Sequence, residues 1–206
     1  MSYFKYFLSI IVCSCLLSVN SQTSPLNIQQ LAHVPNSSLM VPSDLNDIWG
    51  WVDSAGNEYA IVGTNDGTSI FDLSDPANPY EALFVPGMNS IWRDVKTFGN
   101  YAYVTTEAYN GLLIIDLSNL PDSTNTNTYI YSGPSNNPWL RAHNIYIDDR
   151  GYAYIFGANR GLGGAIILDL NQDPTQPVEI ADINNWQVHD GMVKGDTLFL
   201  AHAGNS

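Results

Sequence analysis

Two histidines and two aspartates in this sequence have the chemistry of a metal site. His143 and His189 carry imidazole nitrogens, which suit zinc, manganese, iron or nickel, and Asp94 and Asp190 carry carboxylates, which suit harder cations. Glu107 could join them. Around these residues lie Trp49 and the run Trp92-Arg93-Asp94. A Trp ring offers a broad apolar surface with a single N–H, usable against a carbohydrate or a peptide. The candidate metal set is therefore His143, His189, Asp94 and Asp190, for a divalent ion. The candidate binding set is Trp49, Trp92, Arg93 and Glu107. Neither spacing is a ligand motif of the His-Glu-x-x-His kind, so both depend on the fold bringing distant residues together. A structural reading competes. His and Asp at strand starts cap strand ends and bond neighbouring backbone groups. For Trp49 and Trp92, packing between neighbouring sheets is the preferred role.

Other chemistries are excluded by what the sequence lacks. It has no Gly-x-Ser-x-Gly elbow and no phosphate-cradling Gly-rich loop with a Lys. Gly161-Leu-Gly163-Gly164 is expected to join two strands, not a strand and a helix, so a nucleotide role fails on context. The net charge is −13, from 7 Lys and Arg against 20 Asp and Glu. Nucleic-acid binding needs clustered cations, and so does docking on an anionic membrane; neither is expected. Hydrophobic residues make up 45% of the chain, too many for a disordered acidic tail.

The elements that would position these residues repeat along the chain. The run Gly67-Thr-Ser-Ile-Phe-Asp72-Leu-Ser returns as Gly111-Leu-Leu-Ile-Ile-Asp116-Leu-Ser and as Gly164-Ala-Ile-Ile-Leu-Asp169-Leu-Asn. The aspartates are 44 and 53 residues apart. A period of about 40–50 residues composed only of strands indicates four-stranded propeller blades. Each repeat predicts an inner strand (47–52, 92–97, 143–148, 189–194) and a tight Gly, Asn or Asp turn. A second strand follows (58–63, 101–105, 152–156, and Thr197 onward), then an apolar third strand and a short outer strand after a Pro-rich loop. The fold expected is all-β: an incomplete β-propeller of about three and a half blades, with repeats near 45–87, 88–138, 139–184 and 185–206. A β-sandwich is the rival, but it would not write the same apolar-Asp-Leu signature once per four strands. The inner strands lie nearest the axis, so Trp92, Asp94, His143, His189 and Asp190 are expected to converge at the channel mouth. The anchors Asp72, Asp116 and Asp169 are expected to close Asx turns.

The Gly111–Asp116 signature resembles the LVIVD repeat. From about Leu45 onward the chain resembles the secreted bacterial proteins of the choice-of-anchor B family. The residues carrying this are Asn46-Asp-Ile-Trp-Gly-Trp51, Ser90-Ile-Trp-Arg-Asp94, Tyr103-Val104 with Glu107-Ala108, Ala142-His-Asn144 and Val188-His-Asp190. The resemblance implies an exported propeller, often held by a separate C-terminal sorting device, and carries no enzymatic activity with it. Against it, the chain stops at Ser206 in the middle of a repeat, and is read as a fragment.

The ends complete the expectation. Lys5, the apolar run Phe7–Val19 of 13 residues, and Val19 and Ser21 before Gln22 form a secretory signal over residues 1–21. The run is shorter than the roughly 20 residues that span a bilayer, so no transmembrane segment is expected in the mature chain. Both cysteines, Cys13 and Cys15, fall in the signal, which leaves the mature chain without disulfides. Residues 22–44 read as a polar lead-in. The reading overall is a secreted or cell-surface module that binds a protein or glycan without catalysis and with no certain cofactor. The alternative is a metal-dependent hydrolase using the His and Asp cluster.

Overall fold

The computed structural model describes residues 28–202. The expected signal, with Lys5, Cys13 and Cys15, and the start of the lead-in lie outside the described residues. Every strand among the described residues lies in the second of two units, which begins at Leu31. Among the described residues no helix is long and apolar enough to cross a membrane.

The architecture is that of an incomplete β-propeller. The first sheet runs β1 (Leu45–Val52), β2 (Glu58–Thr64), β3 (Gly67–Asp72) and β4 (Tyr80–Pro86), each antiparallel to the next in chain order. The second repeats this with β5 (Arg93–Phe98), β6 (Tyr101–Thr106), β7 (Leu112–Asp116) and β8 (Thr128–Tyr131). The third has β9 (Asn144–Ile147), β10 (Tyr152–Phe156), β11 (Ala165–Asp169) and β12 (Val178–Ile183). A fourth begins as the hairpin β13 (Val188–Lys194) and β14 (Thr197–His202). The inner hairpins turn at Gly56, Gly99, Gly151 and Gly195, all at positive φ. Each third strand is closed as expected. Asp72 Oδ1 accepts from Ser74 N at 2.8 Å, Asp116 Oδ1 from Ser118 N at 2.9 Å and Asp169 Oδ1 from Asn171 N at 2.9 Å.

The apolar side chains explain why the sheets stack. The middle strands carry apolar residues at successive positions, so both faces of a sheet must be covered. One core lies between the first and second sheets, built from Tyr59, Ile61 and Ile70 against Val95, Val104, Ile115 and Leu117. The next lies between the second and third, where Tyr103, Leu112 and Ile114 meet Ile145, Ile155, Ile166 and Leu168. The third seats the hairpin side chains Val193, Leu198 and Leu200 on Tyr154, Phe156 and Ala165. The lead-in contributes more than a tether, because Leu39, 6% exposed, packs with Val34 on Val62 and Phe71 of the remaining face of the first sheet.

Successive sheets meet at their inner strands. β1 touches β5, β5 touches β9 and β9 touches β13, whereas among the described residues the outermost strands make no comparable contact with one another. A recurring carboxylate clasp joins the inner strands. Asp47 Oδ2 on β1 accepts the Val95 N–H of β5 at 3.1 Å, and Asp94 Oδ2 on β5 accepts the Ile145 N–H of β9 at 3.1 Å. Lys96 Nζ sits 2.8 Å from Asp94 Oδ1 and 3.4 Å from Asp47 Oδ2. Burial pushes the Asp94 carboxyl up to about 6, and its hydrogen bond to Asp47 adds to this while Lys96 opposes it. Burial acts the same way on Asp47, but the bonds from Asp94 and Val95 and the Lys96 charge prevail and hold it below the usual carboxylate range.

Two outcomes follow for stability. Ile114 is fully buried in the core between the second and third sheets. Ile114→Ala should cost about 2–5 kcal/mol, read from denaturant midpoints at constant slope. The pH dependence follows from the clasp. A carboxyl raised on folding from 3.8 to about 6 stabilises fully below the lower value, and that stabilisation is lost as pH rises through the upper one. Stability should therefore fall by about 1–3 kcal/mol from this group between pH 4 and 7. Asp94→Asn, which keeps a carbonyl for Ile145, should flatten the profile; an unchanged profile would contradict the raised Asp94 carboxyl.

Candidate functional site at the hub

The site residues sit where the inner strands start. Trp92 precedes β5, Glu107 follows β6, His143 precedes β9 and His189 lies in β13. Backbone bonds fix these approaches: His143 N–H donates to Phe156 O at 2.9 Å, Ala142 N–H to Thr106 O at 3.0 Å and Val188 N–H to Gly163 O at 2.8 Å. Gly157, at φ +64°, is required beneath them. A Cβ there would lie 2.8 Å from His143 Cβ and 3.3 Å from Val188 O, so only glycine lets the third sheet and the hairpin approach this closely.

The result is a row of three side chains from three different sheets. Glu107 Oε1 lies 2.7 Å from His143 Nδ1, and His143 Nε2 lies 2.9 Å from His189 Nε2. The Trp92 ring tilts against His143 with centroids 5.8 Å apart. Trp92, His143 and His189 border a cavity of about 570 Å³ together with Asn46, Asp47, Asp94 and Asn144. A carboxylate on Nδ1 holds that nitrogen as the donor, which leaves Nε2 with its lone pair directed away from Glu107.

The expected residues thus divide. His143, His189 and Glu107 are brought together, and Trp92 stands beside them, 52% exposed. Asp94 borders the same cavity, but its oxygens are engaged by Lys96, Val95 and Ile145. Asp190 does not border it. Its Oδ1 accepts the Gly191 N–H, and it lies on a separate groove with Met192 and Phe199. The set His143, His189, Asp94 and Asp190 is therefore not gathered round one point, and among the described residues no three His, Asp or Glu side chains are placed to hold a metal. Arg93 is buried at 4% exposure and spends its guanidinium on Thr64 O at 2.9 Å and Met88 O at 2.8 Å, a tie between sheets. Burial pulls its pKa down, with the charge of Asp66 opposing.

The tryptophans divide differently from expectation. Trp51 and Trp139 are the buried ones, with Trp51 Nε1 donating to Gly99 O of the next sheet at 2.9 Å. Trp49 stays 40% exposed yet still bridges to the second sheet, donating to Thr97 Oγ1 at 3.1 Å with Lys96 Nζ 4.5 Å over its ring. Trp92 is a surface of the cavity and not a packing residue. Sequence reasoning left Asp47 unassigned, although its place in β1 matches that of Asp94 in β5, and that repetition was the available signal.

Comparison with known proteins agrees with the repeat. The LVIVD repeat model matches residues 54–85 and 91–126, which span most of the first and second sheets. No curated protein matches the chain. Among solved structures, the chain is similar to an alpha-L-arabinofuranosidase from Clostridium thermocellum, at 12% identity and a TM-score of 0.44, over 82% of this chain. The chain spans about 65% of the length of that structure. The chain carries LVIVD repeats, and they build a β-propeller architecture.

Proposed function

We propose that this chain is a secreted or cell-surface repeat-propeller module, of the choice-of-anchor B kind, that binds a protein or glycan partner at the hub cavity without catalysis. The observation that supports this most is the half-exposed Trp92 ring on the 570 Å³ cavity, beside the side chains of Asn46, Asn144 and Asp47. Of the two partner classes a neutral glycan fits better. An exposed indole stacks on the C–H face of a sugar, and the side-chain amide of Asn144 on the cavity wall takes its hydroxyls. The net charge of −13 repels anionic chains. The alternative, a metal-dependent hydrolase, draws its support from the row Glu107, His143 and His189.

The test is a glycan array probed with the purified protein, followed by calorimetry on the best ligand. Trp92→Ala should weaken that ligand at least about tenfold with the midpoint of unfolding nearly unchanged, because the side chain is half exposed. Absence of any bound glycan, or equal affinity in Trp92→Ala, would contradict the glycan reading.

A further inference from the structure

We infer that His143 and His189 form a two-imidazole binding site for a single borderline transition-metal ion, such as Ni²⁺ or Cu²⁺, with Glu107 as its positioning residue. This inference does not depend on the partner reading, since it requires only the three side chains.

The geometry of the two rings separates this from a plain hydrogen bond. Their Nε2 atoms are 2.9 Å apart and their centroids 4.3 Å apart, with planes inclined at 48°. A ring nitrogen lies about 1.1 Å from its ring centre, so an in-line N–H···N bond of this length would hold the centroids about 5.1 Å apart. Two imidazoles bound to one metal at about 2.05 Å at right angles, as in square-planar or tetragonal coordination, put the nitrogens about 2.9 Å and the centroids about 4.5 Å apart, whereas a tetrahedral ion would put them about 3.3 Å and about 5.1 Å apart. The observed spacings, 2.9 Å and 4.3 Å, match two imidazoles side by side on one ion, and the second is too short for an in-line bond.

Glu107 supplies a second, independent feature. Its Oε1 at 2.7 Å takes the Nδ1–H of His143, the carboxylate–histidine arrangement that fixes the tautomer and raises the basicity of a ligating Nε2. The other charged groups near the pair are committed elsewhere. Asp94 is held by Lys96 and two backbone N–H groups, Arg93 by two carbonyls, and Asp190 faces another groove. With no third protein carboxylate or imidazole converging among the described residues, the remaining coordination positions open toward the cavity that Trp92 borders. Water or a donor atom of a bound molecule would fill them, as in metal sites that keep an exchangeable position.

The test is a titration of the full chain with Ni²⁺ and with Cu²⁺ at pH 7.5, followed by calorimetry and by the visible absorption of the bound ion. One ion per chain is expected. His143→Ala and His189→Ala should each lower affinity by at least tenfold, and Glu107→Gln should lower it by about 10–100-fold while leaving both ligands in place. His143→Gln and His189→Gln, checked for an unchanged unfolding midpoint, separate loss of ligand from loss of fold. No uptake by the parent chain, or uptake undiminished in the histidine variants, would overturn the inference whatever the glycan array shows.

Discussion

Each sheet of this protein is apolar on two faces, and that single constraint organises the rest. Ile61, Ile70, Ile114, Ile155 and Leu168 are all buried to 2% or less, yet each lies in a sheet only four strands wide. No such sheet can shield both of its faces alone, so each is covered by a neighbouring sheet or, on the remaining face of the first, by Leu39 and Val34 of the lead-in. Right-handed strand twist makes the stack fan out around the inner strands. The hub, the clasps and the cavity are consequences of that packing, because packing is what sets β1, β5, β9 and β13 side by side.

Once the inner strands are adjacent, their first residues face polar company at close range. The structure resolves these residues into two groups with different work. Asp47, Asp94 and Arg93 are turned into the seams and satisfy backbone groups of the neighbouring sheet, which a buried seam demands. Trp92, His143 and His189 border open space and have side-chain surface to spare. A carboxylate from the end of a second strand, Glu107, then fixes the orientation of one imidazole. The two groups alternate along a few residues of chain, so a one-residue change in register at a strand start would exchange structural for site roles.

The repeat was readable because its strongest signal is written three times: a glycine, an apolar run and an Asp that closes an Asx turn. Strand boundaries followed within a residue or two, since the turn residues are chemically constrained. The meeting of His143 with His189 was legible from equivalent positions in successive repeats, and Glu107 only as a residue at the end of a second strand that could join them. The direction of individual side chains was not. His189 and Asp190 are neighbours on β13, and a register shift between Val188 and Asp190 decides which of them meets the hub. Trp49 and Trp51 share a face of β1, and only their depth in the seam makes Trp51 the buried one. Leu39 lies beside Met40 and Val41 in a Pro-rich stretch with no period, so nothing marked it rather than its neighbours as the residue that covers Val62 and Phe71.

Amide hydrogen exchange at Val95 and Ile145 tests the stacking of inner strands most directly, because each N–H is bonded by a carboxylate from the preceding sheet. Both amides should be strongly protected in the parent protein. Because Asp94 Oδ1 also accepts the Val95 N–H, at 2.9 Å, Asp47→Ala should accelerate exchange at Val95 in part and leave Ile145 slow, whereas Asp94→Ala should accelerate both. Exchange at both positions as fast as in exposed loops, or rates indifferent to the two substitutions, would show that these sheets do not meet at a common hub.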